Sequence, residues 1–90
     1  MENLLNCTET LFNSKTETGC TLSLETYKEI YQILNVHCFI GGMKGLMEAI
    51  DLLTSGRTKE GCTLSLSKYR ELRDLIFINY FAKKDELKNK

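Results

Sequence analysis

The sequence predicts a small α+β domain, mostly helical, built as a tandem duplication of a helix–loop–short strand–helix unit with pseudo-two-fold symmetry. Three observations predict it. Gly19-Cys20-Thr21-Leu22-Ser23-Leu24 recurs letter for letter as Gly61-Cys62-Thr63-Leu64-Ser65-Leu66. The copies then stay in register without a gap: Tyr27 answers Tyr69, Lys28 answers Arg70, Glu29 answers Glu71 and Ile30 answers Leu72. The shared run also alternates apolar and polar residues with the period of a half-buried strand, then gives way to helical spacing. An all-α four-helix arrangement, with the T-L-S-L segments as loop and helix cap, is the alternative.

The repeats cover about residues 4–40 and 46–82 of one domain, 1–90, and a charged C-terminal tail follows at 83–90. Leu4-Leu5 aligns with Leu46-Met47, Leu11 with Leu53, and Lys15-Thr16 with Arg57-Thr58. Met43, Leu46, Met47, Ile50 and Leu53 form one apolar stripe at the α-helical period, which makes the second unit's first helix the clearest element. Its counterpart near residues 2–12 keeps Leu4, Leu5, Leu11 and Phe12 but has Thr8 where Ile50 stands, so it is the weaker helix. The segments 13–19 and 55–61 are polar loops ending in Gly.

Next come the short strands, with Cys20, Leu22 and Leu24 inward. Strands of this length cannot stand alone, so they are expected to pair as an antiparallel ribbon with Cys20 and Cys62 near its axis or its ends. Ser23 and Ser65 are placed to cap the following helices, without a capping box because Thr26 and Lys68 stand three residues on. The second helices run over about 24–36 and 66–83. Tyr27, Ile30, Tyr31 and Leu34 make one stripe; Tyr69, Leu72, Leu75 and Ile76 make the other, which continues through Phe77, Ile78, Tyr80 and Phe81. A helix apolar on more than one face needs cover on more than one face, so residues 75–81 are expected to touch both units or a partner chain. Gly41-Gly42 breaks the chain between units.

Ninety residues make one domain, of a size that buries only roughly 60–65% of its unfolded surface and is thin in stability unless it dimerises. The formal net charge is zero, which argues against general polyanion binding; residues 1–45 carry three basic and five acidic side chains, and 46–90 carry nine and seven. With no apolar run near the roughly 20 residues that span a bilayer, and no basic, apolar leader at its start, the chain is expected to be cytoplasmic and off the membrane.

The four cysteines, Cys7, Cys20, Cys38 and Cys62, include no C-x-x-C pair to begin a zinc site, and Cys20 and Cys62 sit in apolar alternation, as buried free thiols do. A Cys20–Cys62 bridge stays open for an oxidising compartment.

No enzyme is expected. The single histidine, His37, adjoins Cys38 in sequence, and helix neighbours point in different directions. Glu25, Glu29, Glu48, Asp51, Glu71 and Asp74 read as solvated charge. Gly41-Gly42-Met43-Lys44-Gly45 lacks the spacing of a phosphate loop. No catalytic residue, cofactor or metal ligand is therefore assigned.

Protein binding is the function expected. Tyr31, Phe39, Arg73, Phe77, Tyr80 and Phe81 belong to types enriched at interface cores, and the partner is a host protein, a second copy of the chain, or both. The alternative is a small DNA-binding regulator with a helix-turn-helix-like second repeat, using Arg57, Lys59, Lys68, Arg70 and Arg73. Against it, the matching first-unit residues (Lys15, Glu17, Thr26, Lys28 and Tyr31) are far less basic, and the loop exceeds the three or four residues such a turn uses. The run T-L-S-L-x-x-Y-x-E-[IL] resembles strand-to-helix openings of small bacterial and phage proteins. That resemblance, over about a dozen residues per unit, implies a phage or mobile-element protein that inhibits or regulates a host protein such as a defence component.

Overall fold

A computed structural model describes residues 2–88. Helix α1 (Glu2–Asn13) leads through a two-residue strand β1 (Lys15–Thr16) into β2 (Gly19–Ser23) and α2 (Leu24–Asn35). A π-helical turn (Val36–Ile40) follows, then α3 (Leu46–Ser55), β3 (Gly61–Ser65) and α4 (Leu66–Lys88). The fold is α+β and mostly helical, and the T-L-S-L segments are strands rather than loops.

The strands form one antiparallel sheet in the order β1-β2-β3. In the central pair Cys20 faces Leu64, Thr21 faces Thr63 and Leu22 faces Cys62. Alternation puts Cys20, Leu22, Cys62 and Leu64 on a buried inner face and Thr21, Ser23, Thr63 and Ser65 on an exposed outer one. Leu24, expected to continue the inward set, is instead the first residue of α2 and only half-buried. Helices α2 and α4 both pack on the strands; α4 also packs against α1 and α3, and α2 against α3 and α1. The core between these layers joins Leu4, Leu11, Ile30, Leu34, Leu46, Leu53, Leu72 and Ile76.

Glycine sets how closely β2 and β3 meet. A Cβ on Gly19 would collide with the carbonyl oxygen of Leu64, and one on Gly61 with that of Leu22. Both also lie at positive φ, 157° and 156°, where L side chains are strained. At the strand ends, Ser23 Oγ accepts from the Thr26 N–H (3.2 Å) and Ser65 Oγ from the Lys68 N–H (3.3 Å), capping α2 and α4. At the other end, Cys20 Sγ donates to the Leu11 carbonyl (3.7 Å) and Cys62 Sγ to that of Leu53 (3.2 Å), tying the strands to the last turns of α1 and α3. All four cysteines are buried and free.

Three features depart from expectation. Strand β1 falls in a polar loop with no alternation to announce it. The π turn inserts between α2 and the double glycine, with Gly41 N–H donating to the Val36 carbonyl (3.0 Å). Helix α4 runs on to Lys88, through residues expected as tail; residues 89 and 90 lie outside those described. Thr8, the suspect position of α1, is buried and satisfies its hydroxyl locally by donating to the Leu5 carbonyl (2.6 Å).

Tyr69 is fully buried, yet its hydroxyl has no hydrogen-bond partner. Replacing Tyr69 with Phe is expected to leave stability unchanged or to raise it by about 1 kcal/mol, since a desolvated, unpaired group is removed. Gly61→Ala is expected to cost about 3 kcal/mol or more, because the new methyl meets backbone that cannot step aside. Urea unfolding followed by circular dichroism measures both.

Candidate functional site

Helices α1 and α4 each carry two stripes. On α1, Leu4, Cys7 and Leu11 face the core at helical spacing, and Phe12, one position past Leu11, is turned by about 100° and stands 66% exposed. On α4, Tyr69, Leu72 and Ile76 face the core, while Arg73, Phe77 and Phe81 follow at i, i+4 and i+8 along a different line. Where α1 lies beside α4 a groove of about 510 Å³ opens, lined by Thr8, Glu9, Phe12 and Asn13 on one wall and Arg73 and Phe77 on the other.

The aromatic rings continue past the groove. Phe77 stacks on Phe81 (centroids 6.0 Å apart), and Tyr80 meets Phe81 edge to face (5.1 Å). The Arg73 guanidinium carbon lies 5.6 Å from the centre of the Tyr69 ring and Nη2 is 3.3 Å from Asp74 Oδ1. That ion pair is partly exposed, so water screens it and the arginine is available to a carboxylate from outside.

Of the residues assigned to an interface from sequence, Arg73 and Phe77 line this groove, and Phe81 and Tyr80 extend it. Tyr80 is half-buried against the core, whereas Phe81 is 49% exposed. Tyr31 and Phe39 lie elsewhere: Tyr31 stacks on Tyr27 along α2 (6.0 Å), and Phe39 stands 64% exposed in the π turn beside Ile40. Sequence reasoning missed Phe12, Thr8, Glu9 and Asn13. Phe12 had one available signal, its position one step off the Leu4–Leu11 stripe.

The basic set is dispersed around β3. Arg57 and Lys59 stand exposed ahead of the strand, with the Arg57 guanidinium carbon 5.6 Å from the Tyr27 ring centre. Lys68 and Arg70 are exposed on the first turns of α4, Lys68 Nζ donating to Ser55 Oγ (3.3 Å). Five-residue β3 lies between α3 and α4, where a helix-turn-helix would have a short turn.

The titratable side chains that line the groove are Glu9 and Arg73. Among the described residues, no group of three or more His, Cys, Asp or Glu could hold a metal ion. Burial lowers the pKa of half-buried His37, so its imidazole is neutral at pH 7. Burial, and then the nearby Glu29 carboxylate, push the Cys7 thiol up to about 12; burial, and then Cys62, push Cys20 up to about 11, and burial raises Cys62 as well. These thiols are packing groups, and thiolate nucleophiles are absent from them at neutral pH. No helix among the described residues is long and apolar enough to cross a membrane. No family model, curated protein or solved structure matches the chain.

The raised thiol pKa values give a signed pH dependence. Below the ordinary value of 9.0 folded and unfolded chains are both protonated, and the thiols contribute their full stabilisation. Above it the unfolded chain releases protons that the folded chain retains, so stability falls from pH 9 through about 11 to 12. Denaturation midpoints measured from pH 7 to pH 11 should therefore decline beyond pH 9, and Cys7→Ala/Cys20→Ala should flatten the decline.

Proposed function

We propose that the chain is a non-enzymatic protein-binding module made of two helix–strand–helix units related by a pseudo-two-fold axis through the Thr21–Thr63 pair, and that the α1–α4 groove is its binding face. The register supports the two-unit part: Thr21 faces the residue 42 positions on, and Cys20–Leu64 and Leu22–Cys62 exchange under the same offset. The thiol bonds to Leu11 and Leu53 and the Ser23 and Ser65 caps follow that offset too.

The observation that carries the functional reading is where the units differ. Under that offset α1–α4 corresponds to α3–α2, and Phe12, Phe77 and Arg73 correspond to Thr54, Asn35 and Tyr31. At the matching α3–α2 positions no phenylalanine stands, so the architecture does not need Phe12 or Phe77; Phe81 answers Phe39, which is exposed as well. Phe12 remains 66% exposed on the α1–α4 side, an arrangement that costs solubility and favours a partner. Resemblance of the T-L-S-L-x-x-Y-x-E-[IL] run to strand-to-helix openings of small bacterial and phage proteins supports a host protein, a defence component among them, as that partner.

Affinity capture tests it. Phe12→Asp and Phe81→Asp should each lower partner binding at least tenfold with an unchanged circular dichroism spectrum, whereas Thr54→Asp, the change at the position matching Phe12, should bind as the unaltered protein does. Equal binding by all three would remove the groove from the function.

A second reading has its own support, the bare outer face of the ribbon. Thr21, Ser23, Thr63 and Ser65 line it, Arg57, Lys59, Lys68 and Arg70 stand exposed around β3, and a two-stranded ribbon fits the major groove of duplex DNA. If it holds, Arg57→Ala/Arg70→Ala should reduce duplex affinity and lower the salt slope by about 2.

A further inference from the structure

We infer that each unit is complementary to itself as well as to the other, so that a second copy of this chain can exchange for either half, first unit against first unit and second against second. The inference rests on the two-unit reading above and not on the groove. An isologous contact requires a surface that matches itself under a two-fold axis. The ribbon meets that condition because its two strands have the same sequence. Gly19 faces Ser65, Cys20 faces Leu64 and Thr21 faces Thr63. Setting β2 against β2 of a second copy puts Gly19 opposite Ser23, Cys20 opposite Leu22 and Thr21 opposite Thr21, the same residue types in the same register. The tight passages are kept as well, since Gly19 would pass the second copy's Leu22 carbonyl as Gly61 passes that of Leu22 within the chain.

The helices behind the ribbon carry the match into the core. Leu11 answers Leu53 and Tyr27 answers Tyr69 without change. Ile30 answers Leu72 with an isomer of equal volume, an exchange that cores tolerate after small repacking. The departures, Thr8 for Ile50 and Cys38 for Tyr80, fall outside the strands and set a modest cost on the exchanged form.

What favours the closed chain is then chiefly its linker. Residues 41–45 join the units, and a short flexible connection holds its two ends at an effective concentration in the millimolar range. Gly42 gives that connection room to open: its φ is 75°, and no atom lies within 4 Å of where a Cβ would stand. Two closed chains and one exchanged dimer contain the same number of unit–unit contacts, so the balance turns on concentration. At about 200 µM roughly a tenth or more of the protein is expected in the exchanged form, and at about 2 µM roughly a per cent or less. Exchange requires the ribbon to part, so the two forms interconvert only through unfolding.

Refolding from urea at those two concentrations, followed by sedimentation velocity, tests the inference. A dimer should appear after refolding at the higher concentration, persist on dilution until the protein is unfolded again, and be absent after refolding at the lower one. Thr21→Cys reports which units have met. Directly opposed residues of antiparallel strands stand about 4.5–5.5 Å apart, within disulfide reach, and position 21 lies on the exposed face, away from the native thiols. With oxidised glutathione the Thr21→Cys dimer should link its two chains, while the closed chain, in which position 21 faces Thr63, should stay unlinked. Thr21→Cys/Thr63→Cys in dilute solution should bond within one chain, which checks the β2–β3 register. Protein that refolds at the higher concentration to single copies alone overturns the inference, and so does a dimer that Thr21→Cys fails to link. If the intrachain bond forms in either case, the two-unit reading stands without the exchange; if it does not form, both fall.

Discussion

Strand β2 can lie against β3 only because Gly19 and Gly61 carry no side chain where each passes the other strand's backbone. Much else is hung from that contact. It sets the register in which Cys20, Leu22, Cys62 and Leu64 make a single apolar face. It fixes Ser23 and Ser65, and so the points from which α2 and α4 depart. Through the thiols of Cys20 and Cys62 it also fixes the ends of α1 and α3. The position of α1 beside α4, and hence the groove, follows from where the strands begin and end.

Helix α4 answers to two surfaces at once. Tyr69, Leu72 and Ile76 are sealed in the core, while Phe77 and Phe81 run along a second line that α1 shields only in part. A helix with a single solvated face would place Lys or Glu there at no loss to packing. Here the second line holds stacked rings and an arginine, the side-chain types with most to gain when a partner removes the remaining water.

Much of this fold was legible in the sequence because its signals are local. Alternation in Cys20–Ser23 reports a strand whichever partner it takes, and Met43 to Leu53 reports a helix by period alone. What could not be read depends on neighbours. Strand β1 has two residues and exists only as an edge for β2. The π turn is an adjustment of one hydrogen bond that no residue pattern encodes. Thr8 looked like a defect in α1, and its hydroxyl is satisfied by a carbonyl three residues back. For the groove, Arg73, Phe77, Tyr80 and Phe81 were visible as an apolar surplus on one helix. Phe12 was not, because which rings share a wall is set by the packing of two helices distant in sequence. Tyr31 and Phe39 were grouped with that set by residue type, and the fold puts them on different elements.

The pairing of residues 19–23 with 61–65 also has a consequence in time. Bringing these strands together closes a loop of about 40 residues, an entropic charge of about 3 kcal/mol before any reward of packing arrives. The helices can flicker into existence early, yet none finds its seat until the distant strand comes in. Folding should therefore be slower than for a simple helical bundle of this length, with a barrier crossed in one late, concerted step. During synthesis the first half must wait, incompletely ordered, until β3 has left the ribosome. For that interval the apolar faces of α1 and α2 stand open to whatever surface is nearest.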